Sequence, residues 1–253
     1  MLAEVLGIRF GAAISLIGGG GKTTTMFRLA EELSLENRVI TTTTTKIFKP
    51  PTNKIDDLII CKDFDLLLER LELSQAQLLT VAKKITVKDK LIGIDSCWVD
   101  KLKGAGLSYA PIIIVEADGA ACKDFKIPNQ TEPVVPVSTN LLLPVVGSRL
   151  VGQQLNSHNL HRASLINTIN SQFDIGQLIT PELVVEILLG KAGYDLLTKQ
   201  QNYEVIPLIN QVDTDPRYNF ALEIAHKLVA AGIKKVLLTA VKRKEPVVGV
   251  VKR

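Results

Sequence analysis

Four consecutive glycines, Gly18, Gly19, Gly20 and Gly21, run straight into Lys22, Thr23 and Thr24. Holding a phosphate takes backbone N–H groups that converge at a helix N-terminus, no side chains in the way, and a lysine to bridge the outer oxygens. The glycines clear the side chains and Lys22 supplies the charge. Thr23 stands where a loop hydroxyl meets Mg²⁺, and Thr24 is placed to reach an inner phosphate. The usual spelling of such a loop is G-x-x-x-x-G-K-[ST], and Leu16 occupies the position of its first glycine. That glycine shapes the exit from the preceding strand, whereas the later amides hold the phosphate.

Phosphate chemistry also calls for acidic residues at a neighbouring strand end, to hold a metal's water shell and sense the terminal phosphate. The stretch PIIIVEADGA ends in Glu116, Asp118 and Gly119. Its acid-x-x-glycine spacing resembles the D-x-x-G element of GTPases, in which the glycine amide meets the γ-phosphate. Either Glu116 or Asp118 can serve the metal. Thr41 to Thr45, followed by Lys46, end another strand, and Thr43 to Lys46 are candidates for metal-shell or substrate contacts. The alternative is a strand rich in threonine for its β-propensity. Further along, Asn210 and Asp213 have the N-x-x-D spacing by which GTPases read guanine, although Gln211 replaces the lysine of that element. Thr239-Ala240 resembles the serine-alanine element of the same proteins.

Recurrent aliphatic runs such as ISLIG, RVITTTT, DLIIC, LLTVA, NLLLPVVG and KKVLLTA position these residues, along with PVVGVV near the end. Several are continuous rather than alternating, as in strands buried on both faces. Amphipathic stretches lie between them: KTTTMFRLAEELS, FDLLLERLEL, TPELVVEILLGKAG with Thr180 as cap and Pro181 at the first position, and DPRYNFALEIAHKLVAAG with Asp215 as cap and Gly232 as stop. The order predicts an α/β fold: a mostly parallel sheet with helices on both faces, a three-layer architecture like that of P-loop NTPases. Residues 1–253 are expected to form a single domain, with 123–170, rich in proline and polar residues, as an insertion or lid after the acidic strand end.

A net charge of +4 spread over scattered lysines gives no reason to expect nucleic acid as a partner. Cys61, Cys97 and Cys122 include no C-x-x-C pair, so neither a disulfide framework nor a zinc site is expected, and a reducing cytoplasmic setting fits. No targeting segment or membrane span is expected. None of His158, His161 and His226 has a pattern that marks a general base.

The segments GGGGKTTTMFRLAEEL, TTTTTKIFKP, IIVEADGA, KIPNQTEPVVP and VVGSRLVGQQL, with the later His161-Arg162 pair, together resemble the selenium-dependent hydroxylase accessory proteins, the YqeC-type family of phosphate-loop proteins. The likeness runs over nearly the whole chain. It implies a role in maturing molybdenum hydroxylases that carry a labile selenium. The shared positions it implies are Gly20 to Thr24, Thr42 to Lys46, Glu116 to Gly119, Lys126, Pro128, Glu132, Pro133, Pro136, Gly147, Gly152, His161 and Arg162; Cys122 and Lys123 depart from the pattern. Lys126, His161 and Arg162 are suited either to an anionic substrate such as a pterin phosphate or to pairing with nearby acids.

Residues and resemblance together predict Mg²⁺-dependent binding of a nucleoside triphosphate, GTP or ATP, and its hydrolysis. Lys22, Glu116 and Asp118 would be catalytic, Thr23, Glu116 and Asp118 would serve the metal, and Gly18 to Thr24, Gly119, Asn210 and Asp213 would hold the nucleotide. The role predicted is that of an accessory factor for a client molybdenum hydroxylase. Two other readings stay open: a phosphotransferase or nucleotidyltransferase acting on a pterin cofactor, and a nucleotide-sensing module without turnover.

Overall fold

The computed structural model describes residues 1–198 and 202–253. They form an α/β protein with mostly parallel strands, consistent with a three-layer phosphate-loop architecture. The chain divides into two compact units. The first comprises Met1–Leu16, Thr23–Gly119 and Pro133–Leu141, and the second Ile17–Lys22, Ala120–Glu132 and Leu142–Arg253.

The first unit starts with the short helix α1 (Leu2–Leu6), the strand β1 (Ala13–Gly18), whose last two residues belong to the second unit, and the helix α2 (Lys22–Leu33). There follow β2 (Val39–Thr43), β3 (Lys46–Phe48), β4 (Asp57–Ile60), α3 (Phe64–Leu73), β5 (Leu78–Ala82), β6 (Lys84–Ile85), β7 (Lys90–Ile92), α4 (Ser96–Gly104) and β8 (Ile112–Glu116). Five of the strands lie side by side, all parallel, in the order β1-β8-β2-β5-β4. Every residue of β1, β2, β5 and β8 is buried, which is why these segments read as unbroken aliphatic or threonine runs. The register sets Leu16 and Thr43 level with Glu116 on either side of it, so three segments far apart in sequence end at one sheet edge.

A smaller antiparallel sheet, β3-β7-β6, stands on that edge as a flap. Its root is tight: the Gly93 and Ile94 amides donate to Thr45 O and Thr43 O, both at 3.0 Å. A Cβ on Gly93 would lie 1.8 Å from Thr43 O. Just beyond the root, Trp98 meets Phe64 edge to face with centroids 5.4 Å apart, and Lys83, paired with Asp95, lies over its indole. The aliphatic-run pattern did not predict this flap, because its strands are two or three residues long and lysine-rich.

The second unit holds β9 (Phe125–Lys126), most of β10 (Leu141–Gly147), β11 (Leu160–His161), α5 (Ile166–Ile169), α6 (Pro181–Leu189), β12 (Glu204–Val205), β13 (Leu208–Asn210), α7 (Asp215–Ala230), β14 (Lys235–Thr239) and β15 (Val247–Lys252). Here the strand order is β10-β13-β14-β15, with β12 beside β10. β15 pairs antiparallel to β14 and alternates in burial, as an edge strand with one solvated face does. In β10 and β13 the register aligns Gly147 with Asn210.

Helix α6 starts as its sequence predicts: the Thr180 side chain accepts from the Leu183 amide and Pro181 opens the first turn. Helix α7 differs by one residue. Thr214 is its N-cap and Asp215 lies in the first turn, where its charge complements the helix dipole, while Gly232 at φ 119° follows the C-cap Ala231. Among the described residues, no helix is long and apolar enough to cross a membrane. All three cysteines are free. Replacing Thr180 with alanine removes one capped amide, and we expect a loss of about 1 kcal/mol of stability, read as a lowered urea midpoint with unchanged slope.

Candidate functional site

In the second unit, the glycine loop is shaped by protein backbone. Gly18 and Gly20 have φ of 93° and 72°, in the left-handed region. A Cβ would lie 2.3 Å from Val145 O at Gly18 and 2.1 Å from the Gly147 nitrogen at Gly20, so no other residue fits either position. The Gly19 amide donates to Val145 O at 2.8 Å and the Gly20 amide to Lys123 O at 3.0 Å. The glycines therefore do more than clear space for phosphate; they let the loop seat itself between the end of β10 and residues 123–124. Lys22 is nearly buried and folds back, its Nζ donating to Gly18 O at 2.6 Å. As the first residue of α2, it stands where the helix leaves amides without intrahelical acceptors and the dipole favours an anion.

Asn210 ties the loop to two strand ends. Only 2% exposed, it donates through Nδ2 to Gly20 O at 2.8 Å. Its Oδ1 accepts from Thr239 Oγ1 and from the Val241 amide, both at 3.2 Å. The two segments picked out by spacing, Asn210 and Thr239-Ala240, are thus brought together on the loop, with the Asn210 amide spent as a tether. Asp213 sits apart from them: 44% exposed, its carboxylate lies 3.6 Å from Arg217 and 3.4 Å from Arg243.

Sequence reasoning missed a second support. Asp124 accepts the Gly147 amide on its backbone oxygen at 2.8 Å. Its Oδ1 accepts from Arg149 Nη2 at 2.9 Å and Gln211 Nε2 at 3.0 Å. Gln211 is held at φ 66°, and its Oε1 is buried without a partner. The one signal available was Gln211 itself, which replaces the lysine of the GTPase element.

The first unit holds the acidic strand end. Thr23 Oγ1 donates to Glu116 Oε2 at 2.6 Å. Asp118, two residues on, is fully buried, and Gly119 is half-buried. Thr43 Oγ1 donates to the Glu116 backbone oxygen at 2.7 Å and accepts the Thr45 amide, while Thr44 Oγ1 donates to Val134 O. The threonine run splits by role: Thr41 and Thr42 give their hydroxyls to Leu79 O and Val81 O of β5, so both serve the sheet. Lys46 is exposed at the start of β3. Among the described residues, no group of three or more His, Cys, Asp or Glu side chains is gathered to hold a metal. The hydroxyl–carboxylate contact of Thr23 and Glu116 offers hard oxygen donors of the kind that suit Mg²⁺, an ion that keeps waters and substrate oxygens in its shell.

A charged cluster completes the second unit. β9 and β11 pair in parallel and set Lys126 level with His161. Lys126 is fully buried, and its Nζ donates to Glu132 Oε2 at 2.6 Å; Arg162 Nη2 donates to the same oxygen at 3.0 Å. The structure thus realises the pairing of Lys126 and Arg162 with a nearby acid. Arg162 Nη1 is buried without an acceptor, a deficit of about 1–3 kcal/mol for an unsatisfied donor. Burial raises the Glu132 pKa, but hydrogen bonds and charge from Lys126 and Arg162 outweigh it and hold the carboxyl below its usual range.

With its strand–glycine loop–helix opening and acidic strand end, the chain falls in the α/β class with a phosphate-loop-like architecture. It belongs to the YqeC family: the family model described as YqeC protein matches residues 14–164. A curated relative, the uncharacterized protein YqeC of Escherichia coli (strain K12), is 29% identical over 175 residues, 69% of this chain. That match spans 64% of the relative's own length, less than two thirds of it. No solved structure matches the chain significantly. Residues 14–164 take in the glycine loop, the threonine run, the acidic strand end and the Lys126–Glu132–Arg162 cluster, and stop short of Asn210 and Asp213.

Because the Glu132 pKa is depressed in the fold, its contribution to stability is complete above the unfolded value of about 4.3 and is lost as pH falls through the lower folded value. We expect Glu132→Gln to cost about 3–5 kcal/mol at pH 7, since it leaves Lys126 buried without its carboxylate. The gap between variant and wild type should narrow on acidification below about pH 4. Denaturant melts across that range check both.

Proposed function

We propose that the chain binds a Mg²⁺–nucleoside triphosphate at Gly18 to Thr24 and hydrolyses it, acting as an accessory factor in the maturation of a selenium-dependent molybdenum hydroxylase. The observation that carries the nucleotide reading is the glycine loop with Lys22 folded across it, Nζ on Gly18 O. Triphosphate oxygens would give an ammonium at this place charge-assisted hydrogen bonds, stronger than one to a neutral carbonyl.

In this reading Lys22 turns from Gly18 O to the outer phosphates and offsets the charge that builds on them as the bond to the γ-phosphorus breaks. The loop amides and the first turn of α2 hold the inner phosphates. Thr23 and Glu116 present the oxygens that would hold the metal's shell, with Asp118 as the further carboxylate and the Gly119 amide directed to the γ-phosphate. When bound, Mg²⁺ supplies charge neutralisation at the β- and γ-phosphate oxygens. Asp213 is assigned to the base, and Asn210 to keeping the loop in the shape that meets the phosphates. GTP and ATP are both retained as candidates.

The maturation role rests on family membership and on the likeness to selenium-dependent hydroxylase accessory proteins. The client would recognise a state set by the nucleotide: Thr43 to Thr45 are hydrogen-bonded at Glu116 and form the root of the β3-β7-β6 flap, so events at the acidic strand end bear directly on it.

Calorimetric titration with ATP, GTP and CTP in the presence of Mg²⁺ tests the reading. Lys22→Ala should abolish triphosphate binding, and unchanged affinity would refute the site. Asp213→Ala should weaken GTP more than ATP, by about tenfold or more if a charge-assisted bond to the base is lost; equal losses would remove the guanine assignment. Phosphate release that accelerates only with the client hydroxylase present would support the maturation role.

A further inference from the structure

Arg162 carries two features that its pairing with Glu132 leaves unexplained. Its backbone is held at φ 60°, in the left-handed region that a side chain of this size rarely adopts. Its guanidinium spends Nη2 on Glu132, yet Nη1 is sealed from water with nothing to donate to. Backbone strain and an unmet buried donor both raise the free energy of the fold, and such features gather where a ligand repays them. The fork geometry of a guanidinium matches the paired oxygens of a phosphate or a carboxylate. Lys126 shares the Glu132 oxygen, so two cations and one carboxylate leave the cluster with a net charge of +1.

The location ties this cluster to the loop. Lys126 ends a four-residue stretch whose first two members fix the loop's surroundings: Lys123 O accepts the Gly20 amide and Asp124 O accepts the Gly147 amide. β9 then passes to β11, which delivers Arg162 as the next residue.

We propose that Arg162, with Lys126, binds an anionic group, a phosphate or a carboxylate, of a second ligand distinct from the one held at the glycine loop. The inference does not depend on the loop taking a nucleotide, because the strained backbone and the unmet donor stand without it. It gives the chain an acceptor or cargo subsite in the second unit.

Isothermal titration of the full chain carrying Lys22→Ala, with inorganic phosphate and separately with malonate, reads this subsite with the loop lysine removed. The expected result is saturable 1:1 binding of at least one probe, weakened about tenfold or more by adding Arg162→Gln. Arg162→Lys, which keeps the charge and loses the fork, should weaken it less. Binding of phosphate alone assigns a phosphoryl ligand, and binding of malonate alone assigns a carboxylate. The saturating probe should raise the unfolding temperature of Lys22→Ala and leave that of Lys22→Ala/Arg162→Gln unmoved. If Arg162→Gln fails to fold, Arg162→Lys carries the test, and unchanged affinity in it overturns the proposal. So does the absence of saturable binding by both probes.

Discussion

Backbone contact at the glycine loop is the constraint on which the rest of the second unit depends. At Gly20 the chain passes so near the Gly147 nitrogen that a methyl group would sit 2.1 Å from it, and at Gly18 one would sit 2.3 Å from Val145 O. A contact of that kind cannot be adjusted by rotating a side chain. It fixes the loop against the end of β10, and the register between β10 and β13 then brings Asn210 level with Gly147 and onto the loop. The nearly buried Lys22 and the tether from Asn210 follow from that seating. The loop is thus largely shaped by the chain's own backbone, which reduces the ordering that any ligand there would have to supply.

The first unit solves a different problem, that of bringing a hydroxyl, a carboxylate and a threonine turn to one edge from three distant segments. Parallel strands in register do this: Leu16, Glu116 and Thr43 are level, so whatever follows each strand emerges together. Thr23 reaches the Glu116 carboxylate, Thr43 the Glu116 backbone, and the flap begins three residues later at Lys46.

What could be read from the sequence divides along physical lines. Buried strands and the capped helix α6 were legible because unbroken aliphatic runs and a Thr-Pro start are local patterns with local causes. The convergence of the glycine loop with Asn210 and Thr239 was legible as spacing, but the spacing did not say that the Asn210 amide would hold the loop. Asp124 was illegible, since a lone aspartate in a polar, proline-rich stretch has no periodicity, and its role comes from meeting Gly147, Arg149 and Gln211 across the fold. The functional candidates in the threonine run began at Thr43, and Thr41 and Thr42 before it each give a hydroxyl to a β5 carbonyl, which makes both part of the sheet.

The sole tryptophan of the chain stands beside the root of the flap. Trp98 follows Gly93 and Ile94 by a few residues, leans edge-on against Phe64, and lies under the ammonium of Lys83, the residue that precedes β6. Any shift of the flap relative to α4 would carry that ammonium toward or away from the indole. Emission colour and quenching at this one residue would then form a built-in optical gauge of flap position, free of background from any second indole and needing no dye.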